Sequence, residues 1–157
     1  MVMVARKYSR RLGLIEDGQF RSALDRLGLG EFVRAEPVAD GLFGQNVFVT
    51  TTIGEYVLRG APHYDRQLPA ERFFARLLHE HTRTPVPWPY ILDPDDDIFG
   101  WSYALMPRMP GLKLSDIAAD EALTNDERLG MARAMGENLA LMHVLKWPWP
   151  GRYGPAR

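Results

Sequence analysis

The sequence has no cysteine, no excess of basic charge and no long apolar run. Without cysteine, a disulfide framework and a cysteine-ligated zinc site are excluded. Lys and Arg number 19 against 20 Asp and Glu, so the net charge of −1 does not favour nucleic acid as a partner. The basic N-terminus lacks the apolar core of a signal peptide, and no run approaches the ~18 residues of a membrane helix. These absences predict a cytoplasmic protein that binds neither nucleic acid nor membrane.

The length of 157 residues, with 46% hydrophobic and 25% charged residues, fits one globular domain or one lobe of a larger one. Residues 1 to about 16 are expected to form a loosely held lead-in. Beyond them, apolar residues recur at i, i+3, i+4 and i+7, on one helix face: Phe20, Ala23, Leu24 and Leu27. This spacing predicts an amphipathic helix with Asp17 as its N-cap, stopped by Gly28 and Gly30.

Short segments rich in β-branched and aromatic residues predict five strands, over residues 32–38, 46–52, 55–58, 90–92 and 100–106. Ile53 and Gly54 form a tight connection between the second and third of them. A broad apolar stripe predicts a helix over residues 69–82, with Pro69 in its first turn. A short helical turn is expected over residues 114–118.

A long helix is predicted over residues 125–146, where Thr124 and Glu127 form a capping box. Its apolar residues cover most of its circumference, which is typical of a helix buried in the middle of a domain. The eleven residues after it are rich in proline and glycine and offer nothing to cover its outer side. We therefore expect that the chain is cut short or needs a partner.

Candidate chemistry is concentrated between residues 41 and 71. A loop there carries glycines that would let backbone amides approach phosphates: Gly41, Gly44, Gln45 and Asn46. Arg59 at a strand end would hold phosphate oxygens, and Glu71 in the first turn of a helix would pair with it. Each feature has a plain structural alternative, namely a hairpin loop, a surface arginine and a glutamate favoured by the helix dipole.

No metal site is predicted. Three aspartates match positions 1, 3 and 5 of a calcium-binding loop: Asp93, Asp95 and Asp97. The pattern then fails, because Ile98 stands at the position of the required glycine and Ala104 at that of the bidentate glutamate. His79 and His81 are two residues apart on a helix and so do not form an i, i+4 ligand pair.

Five segments in this order resemble the N-terminal part of an aminoglycoside phosphotransferase-like kinase, between residues 29 and 143: GLFGQNVFVTTTIGEYVLRG, PAERFFARLLHE, PVPWP, SYALMPRMPG and LALMH. The resemblance implies an α+β fold, a protein-kinase-like N-terminal lobe with an antiparallel sheet of about five strands and one packed helix. It also implies three parts: an N-terminal extension (1–30), the lobe itself (31–110), and a linker with the first helix of an incomplete C-terminal lobe (111–157).

The resemblance further implies roles for individual residues. The loop of residues 41–46 would cover the phosphates of ATP or GTP, and Arg59 would replace the usual lysine, with Glu71 as its partner. Met106 and Arg108 would lie in the hinge that meets the nucleobase. The catalytic loop His-x-Asp-x-x-x-x-Asn and the Mg²⁺ ligands are expected beyond this chain, which therefore has no catalytic or metal-binding residue of its own.

Two functions follow from the sequence. The first is the nucleotide-binding part of a phosphotransferase that transfers the γ-phosphate to a hydroxyl of a small molecule. The alternative is a non-catalytic kinase-like module that forms a homodimer, or docks on another chain, through its exposed C-terminal helix.

Overall fold

A five-stranded antiparallel sheet forms the centre of the chain, whose computed structural model describes residues 5–38, 43–111 and 121–148. Its strands are β3 (Phe32–Pro37), β4 (Asn46–Thr51), β5 (Glu55–Gly60), β6 (Ile91–Asp93) and β7 (Tyr103–Pro107). They lie in the order β3-β4-β5-β7-β6. This arrangement confirms the predicted α+β fold with a kinase-like N-terminal lobe. No helix in the described ranges is long and apolar enough to cross a membrane.

The β4–β5 hairpin forms where the sequence predicts it. Alternate residues of β4 are buried, among them Val47 and Val49, as expected for a strand with one face on the core. At the turn, the hydroxyl of Thr51 accepts hydrogen bonds from the N–H groups of Ile53 (3.3 Å) and Gly54 (3.2 Å). The Thr51 side chain therefore closes a connection that lacks the strongest turn residues.

The N-terminal residues form a second, two-stranded sheet, β1 (Ala5–Ser9) with β2 (Gly13–Glu16). The expectation of a loosely held lead-in is wrong, because Tyr8, Leu12 and Ile15 are buried in the main core. The neighbouring residues are mostly charged and the segment is short, so the sequence shows no clear alternation of apolar and polar residues. Their burial depends on the helix and sheet that pack against them.

Helix α1 (Asp17–Leu27) covers one face of the sheet through Phe20, Ala23 and Leu24, as its periodicity predicts. Its N-cap is Glu16 and not Asp17, since Glu16 and Gln19 form the capping box. At the other end Gly28, with φ of +65°, closes the helix in the left-handed conformation that glycine adopts without strain.

The two faces of the main sheet have different neighbours. One core cluster joins α1 to the inward side chains Val47, Val49, Leu58 and Leu105. Because side chains alternate along a strand, the residues between them project from the opposite face: Asn46, Phe48, Val57, Arg59 and Met106. Helix α2 (Gln67–His81) packs beside this second face, where its Ala75 contacts the cluster around Tyr90, Ala104 and Met106. The predicted helix began two residues later, at Pro69.

Helix α3 (Asn125–Met142) begins at the predicted Thr124–Glu127 capping box and ends four residues before the predicted end. None of its residues is buried against the rest of the described chain, and Leu129, Met135 and Leu139 are 69%, 68% and 50% exposed. The dimer through this helix stays a prediction. The helical turn predicted over residues 114–118 lies outside the described residues.

Candidate functional site

An open groove of about 590 Å³ lies between the second face of the sheet, α2 and the segment before β6. One side of the groove is apolar and includes Val57, Ala75, Leu78, Val86 and Met106. The polar side chains gather at its other end: Asn46, Arg59, Tyr64, Gln67, Glu71 and Tyr90. The volume is in the range of small-molecule sites, which are typically ~300–1,000 Å³ and mostly apolar with a few convergent polar groups.

Arg59 and Glu71 form a bidentate ion pair at this polar end. The Arg59 Nε donates to Glu71 Oε2 (2.6 Å), and its Nη2 donates to Oε1 (2.7 Å). Strand β5 ends one residue after Arg59, and Glu71 lies in the second turn of α2, so the pair joins sheet and helix. Asn46, opposite Arg59 on β4, accepts a third bond from Nη1 (3.1 Å). Side chains from two other elements, α2 and β4, thus fix the guanidinium plane.

Glu71 has two further donors. Gln67, one helical turn earlier, donates from Nε2 to Oε1 (3.0 Å), and the Tyr90 hydroxyl donates to Oε2 (2.8 Å). Gln67 is itself buried and is held by Gln45, whose amide also binds the carbonyl of Ala61 (2.9 Å). Both carboxylate oxygens of Glu71 are therefore saturated by a network that continues into the interior.

The electrostatics of the pair keep both partners charged. Burial by itself disfavours the charged Glu71, but the hydrogen bonds from Arg59, Gln67 and Tyr90 outweigh it and lower the pKa of the carboxyl. Burial likewise disfavours the charged guanidinium, and the bonds to Glu71 with its negative charge leave the pKa of Arg59 raised. Burial raises the pKa of Tyr90, and the negative charge of Glu71 raises it further. The Tyr90 hydroxyl therefore stays protonated and donates.

The ion pair makes the stability of the fold depend on pH in the acid range. The pKa of Glu71 lies below its ordinary value of 4.5 in the folded chain, so folding favours the ionised form. Its contribution to the free energy of unfolding is complete above that ordinary value and is lost as the pH falls through the folded pKa. We expect the free energy of unfolding to decrease as the pH falls below about 5, and less steeply in Glu71→Gln.

Urea denaturation at several pH values measures this dependence. Glu80→Gln is the matched control, because Glu80 is a half-exposed glutamate on the same helix whose ion pair with Arg76 spans 3.9 Å. The Glu80→Gln variant should keep the wild-type dependence of the free energy of unfolding on pH. Equal slopes for Glu71→Gln and the wild type would show that the pair does not contribute in the way its geometry implies.

Arg59 retains hydrogen-bonding capacity for a ligand. A guanidinium carries five N–H donors, and its contacts with described residues use one on each of Nε, Nη1 and Nη2. The remaining donor capacity is on Nη1 and Nη2, near the Tyr90 hydroxyl, on a side chain that is 20% exposed beside the groove. N–H groups of a guanidinium held in a fixed plane next to a cavity suit a phosphate or carboxylate oxygen.

The comparison with known families agrees with this arrangement. The sequence profile of the phosphotransferase enzyme family matches residues 34–154, more than three quarters of the chain. The chain belongs to the phosphotransferase enzyme family. This match confirms the resemblance of the five sequence segments to aminoglycoside phosphotransferase-like kinases. No curated protein sequence matches the chain.

The other residues predicted for the phosphotransferase site lie in three places. Gly44 and Gln45 directly precede β4. Gln45 is 1% exposed, and its side chain forms hydrogen bonds inside the protein, among them one to the carbonyl of Ala61. Gly41 lies outside the described residues. Met106 on β7 lines the groove. Arg108 is not among the lining residues, because its guanidinium lies 3.9 Å above the ring centroid of Phe48.

Sequence reasoning missed two residues of this site, Gln67 and Tyr90. The contact of Gln67 with Glu71 could have been predicted, because residues four apart are neighbours on a helix surface. The contact of Tyr90 with Glu71 could not have been predicted, because the two residues are nineteen apart. The extended segment before β6 brings Tyr90 to Glu71. Both act on Glu71 and thereby hold Arg59 in place.

Among the residues that the structure describes, no set of metal ligands for phosphoryl transfer accompanies this ion pair. Within the described ranges, no three His, Asp or Glu side chains are arranged to hold a metal ion. Arg26 binds Asp93 (3.0 Å) and Asp97 (2.6 Å), two of the aspartates of the incomplete calcium pattern. Those two carboxylates therefore tie α1 to the turn after β6.

Proposed function

We propose that this chain is the nucleotide-binding part of a phosphotransferase that uses ATP or GTP and phosphorylates a hydroxyl of a small molecule. The observation that carries the proposal is the Arg59–Glu71 pair, which holds the guanidinium in a fixed plane beside the groove. A triphosphate presents the planar pairs of anionic oxygens that a fixed guanidinium binds best. In protein kinases, a glutamate on a helix forms an ion pair with the phosphate-binding lysine of a strand in the same way.

The proposed nucleotide lies along the groove with its phosphates at the polar end. Arg59 and Asn46 hold phosphate oxygens, together with backbone N–H groups of residues 44 and 45. The base lies beyond Met106, near the end of β7. There Pro107 has no N–H and the N–H of Arg108 donates to the Glu55 carbonyl (3.0 Å), so the N–H of Met109 is the next donor for a nucleobase edge.

The proposed reaction moves the γ-phosphoryl group from the triphosphate to the acceptor oxygen and releases a nucleoside diphosphate. The acceptor hydroxyl gives its proton to a general base, a role that we assign to none of the described residues. Mg²⁺, which phosphotransferases of this kind use to neutralise the transferring group, has no ligand set among them. We therefore place binding and orientation of the nucleotide in residues 31–110, and we propose that residues 111–157 lead into a second lobe.

Nucleotide binding by the purified 157-residue chain tests the proposal. We expect ATP or GTP, with Mg²⁺ present, to raise the thermal midpoint and to bind with a measurable Kd by calorimetry. We expect no transfer of γ-phosphate to water or to added alcohols. A chain that transfers phosphate by itself would contradict the assignment of catalysis to other residues. A chain that binds no nucleotide but dimerises with increasing concentration would instead favour an interaction module, for which the exposed Leu129 and Leu139 would be the contacts.

A further inference from the structure

The turn of the N-terminal hairpin touches the loop before β4, which the proposed function assigns to the phosphates. The Ser9 hydroxyl donates to the carbonyl of Gly44 (2.5 Å) and accepts from the N–H of Leu12 (3.0 Å). Gly44 has φ of +57°, and a Cβ there would lie 3.1 Å from the Cβ and the Oγ of Ser9. Only glycine thus combines this backbone conformation with so close a contact to the hairpin.

The same turn holds a second loop, the one that leads from Arg59 to α2. Arg11 donates from Nε to the carbonyl of Ala61 (2.5 Å) and from Nη2 to the carbonyl of Pro62 (2.8 Å). Ala61 has φ of +48°, a left-handed conformation that is uncommon for a residue other than glycine. Such a conformation persists when its surroundings impose it, and Arg11 supplies part of that constraint.

The hairpin is a firm support for these contacts. Tyr8 and Leu12, on either side of the turn, are 7% and 4% exposed, and Tyr8 packs edge-to-face on Phe20 of α1 at 5.3 Å between ring centroids. The side chains of Ser9 and Arg11 therefore project from a turn that is anchored in the main core. Both loops are fixed relative to α1 and the sheet as a result.

The Ser9 contact sets the direction of a backbone donor. In a trans peptide unit the C=O and the following N–H point in opposite directions. Because the Gly44 carbonyl is bound to Ser9, the N–H of Gln45 points away from the hairpin. That N–H is one of the groups that would meet a phosphate oxygen.

We propose that Ser9 and Arg11 are positioning residues for triphosphate binding. Ser9 orients the peptide between Gly44 and Gln45, and Arg11 fixes the two carbonyls that follow the strand of Arg59. This inference rests on the proposed function, since it assumes that the two loops flank nucleotide phosphates. It assigns the N-terminal hairpin a part in the site, although the hairpin contributes no side chain to the groove lining.

Comparison of triphosphate and monophosphate binding tests the inference. Calorimetry would measure Kd values of ATP, GTP, AMP and GMP for the wild type, Ser9→Ala and Arg11→Met. We expect both variants to bind the preferred triphosphate about three- to tenfold more weakly, because each loses hydrogen bonds that hold the loops in the bound arrangement. Monophosphate affinity should change less than about twofold, because the β- and γ-phosphates are the groups that these loops would hold.

Matched controls separate positioning from stability. Arg10→Met removes an exposed arginine from the same turn, and Ser22→Ala removes a hydroxyl that bonds only within α1, to the Gly18 carbonyl. Both should bind like the wild type. Should Arg11→Met fail to fold, as seen by circular dichroism, Ser9→Ala decides the question.

Each result has a distinct meaning. A wild type that binds no nucleotide removes the proposed function and this inference with it. A wild type that binds, with Ser9→Ala unchanged for both phosphate classes or weakened equally for both, overturns the inference alone. A selective loss of triphosphate affinity supports it.

Discussion

Replacing Arg59 by alanine is expected to abolish the nucleotide-dependent rise in thermal midpoint. The substitution removes the guanidinium that would bind phosphate oxygens and leaves Glu71 as an uncompensated carboxylate beside the site. Hydrogen bonds between charged groups contribute ~1.5–3 kcal/mol each, so triphosphate affinity should fall about 100-fold or more. The repulsion between Glu71 and the phosphates would add to this loss.

Arg34→Ala is the control for this variant. Arg34 is an exposed arginine on β3 of the same sheet, and its ion pair with Glu36 is a surface contact of 3.6 Å. Arg34→Ala should bind nucleotide like the wild type. Arg59→Lys should recover part of the affinity, since it restores the charge but not the bidentate geometry. Wild-type binding by Arg59→Ala would refute the placement of the phosphates at this end of the groove.

The largest loss of stability is expected from Gly60→Ala, at the residue after Arg59. A Cβ at Gly60 would overlap the ring of Trp101, which is stacked on Phe99 with 4.7 Å between centroids. Gly60 is buried at the end of β5, and the rigid indole cannot yield as a flexible side chain would. We expect the free energy of unfolding to fall by about 3 kcal/mol or more, a large part of the ~5–15 kcal/mol that a domain has.

Gly130→Ala is a control with the opposite expected sign. Gly130 lies within α3, and a Cβ there would meet no atom within 4 Å. Alanine should stabilise that helix by ~0.5–1 kcal/mol because it restricts the unfolded chain and favours the helix. Urea denaturation followed by tryptophan fluorescence and by circular dichroism would measure both changes. A Gly60→Ala variant as stable as the wild type would mean that Trp101 does not occupy the position described.

The sequence predicted the elements whose signals are local. In strand β4 buried and partly buried residues alternate, and in α1 the apolar residues recur at helical spacing. The Thr124–Glu127 capping box marks the start of α3. Arg59 and Glu71 could be paired from the sequence, because the order of strand, loop and helix matches a known phosphate-binding arrangement. The same order is found in the phosphotransferase family that the sequence resembles, and the family match confirms that resemblance.

Other features could not be read from the sequence. The N-terminal hairpin has a weak hydrophobic pattern, and its Tyr8 and Ile15 are buried because α1 and the main sheet pack against them. Helix α2 begins two residues before its predicted start, and α3 ends four residues before its predicted end. The N-cap of α1 is Glu16 in place of Asp17, because Glu16 forms a capping box with Gln19. Tyr90 reaches Glu71 across the fold, and no spacing rule relates two such residues.

The sequence by itself determined the family, the α+β order of elements and the identity of the central ion pair. The order of elements depends on residue types at short spacing, where backbone geometry fixes which side chains are neighbours. The family and the pairing of Arg59 with Glu71 are what the resemblance of the ordered segments implied. The tertiary structure alone decided which donors saturate the Glu71 carboxylate, how the Arg59 guanidinium is oriented, and which loops the hairpin of Ser9 and Arg11 supports. Those contacts join segments up to about fifty residues apart, and only the packing of the core brings them together.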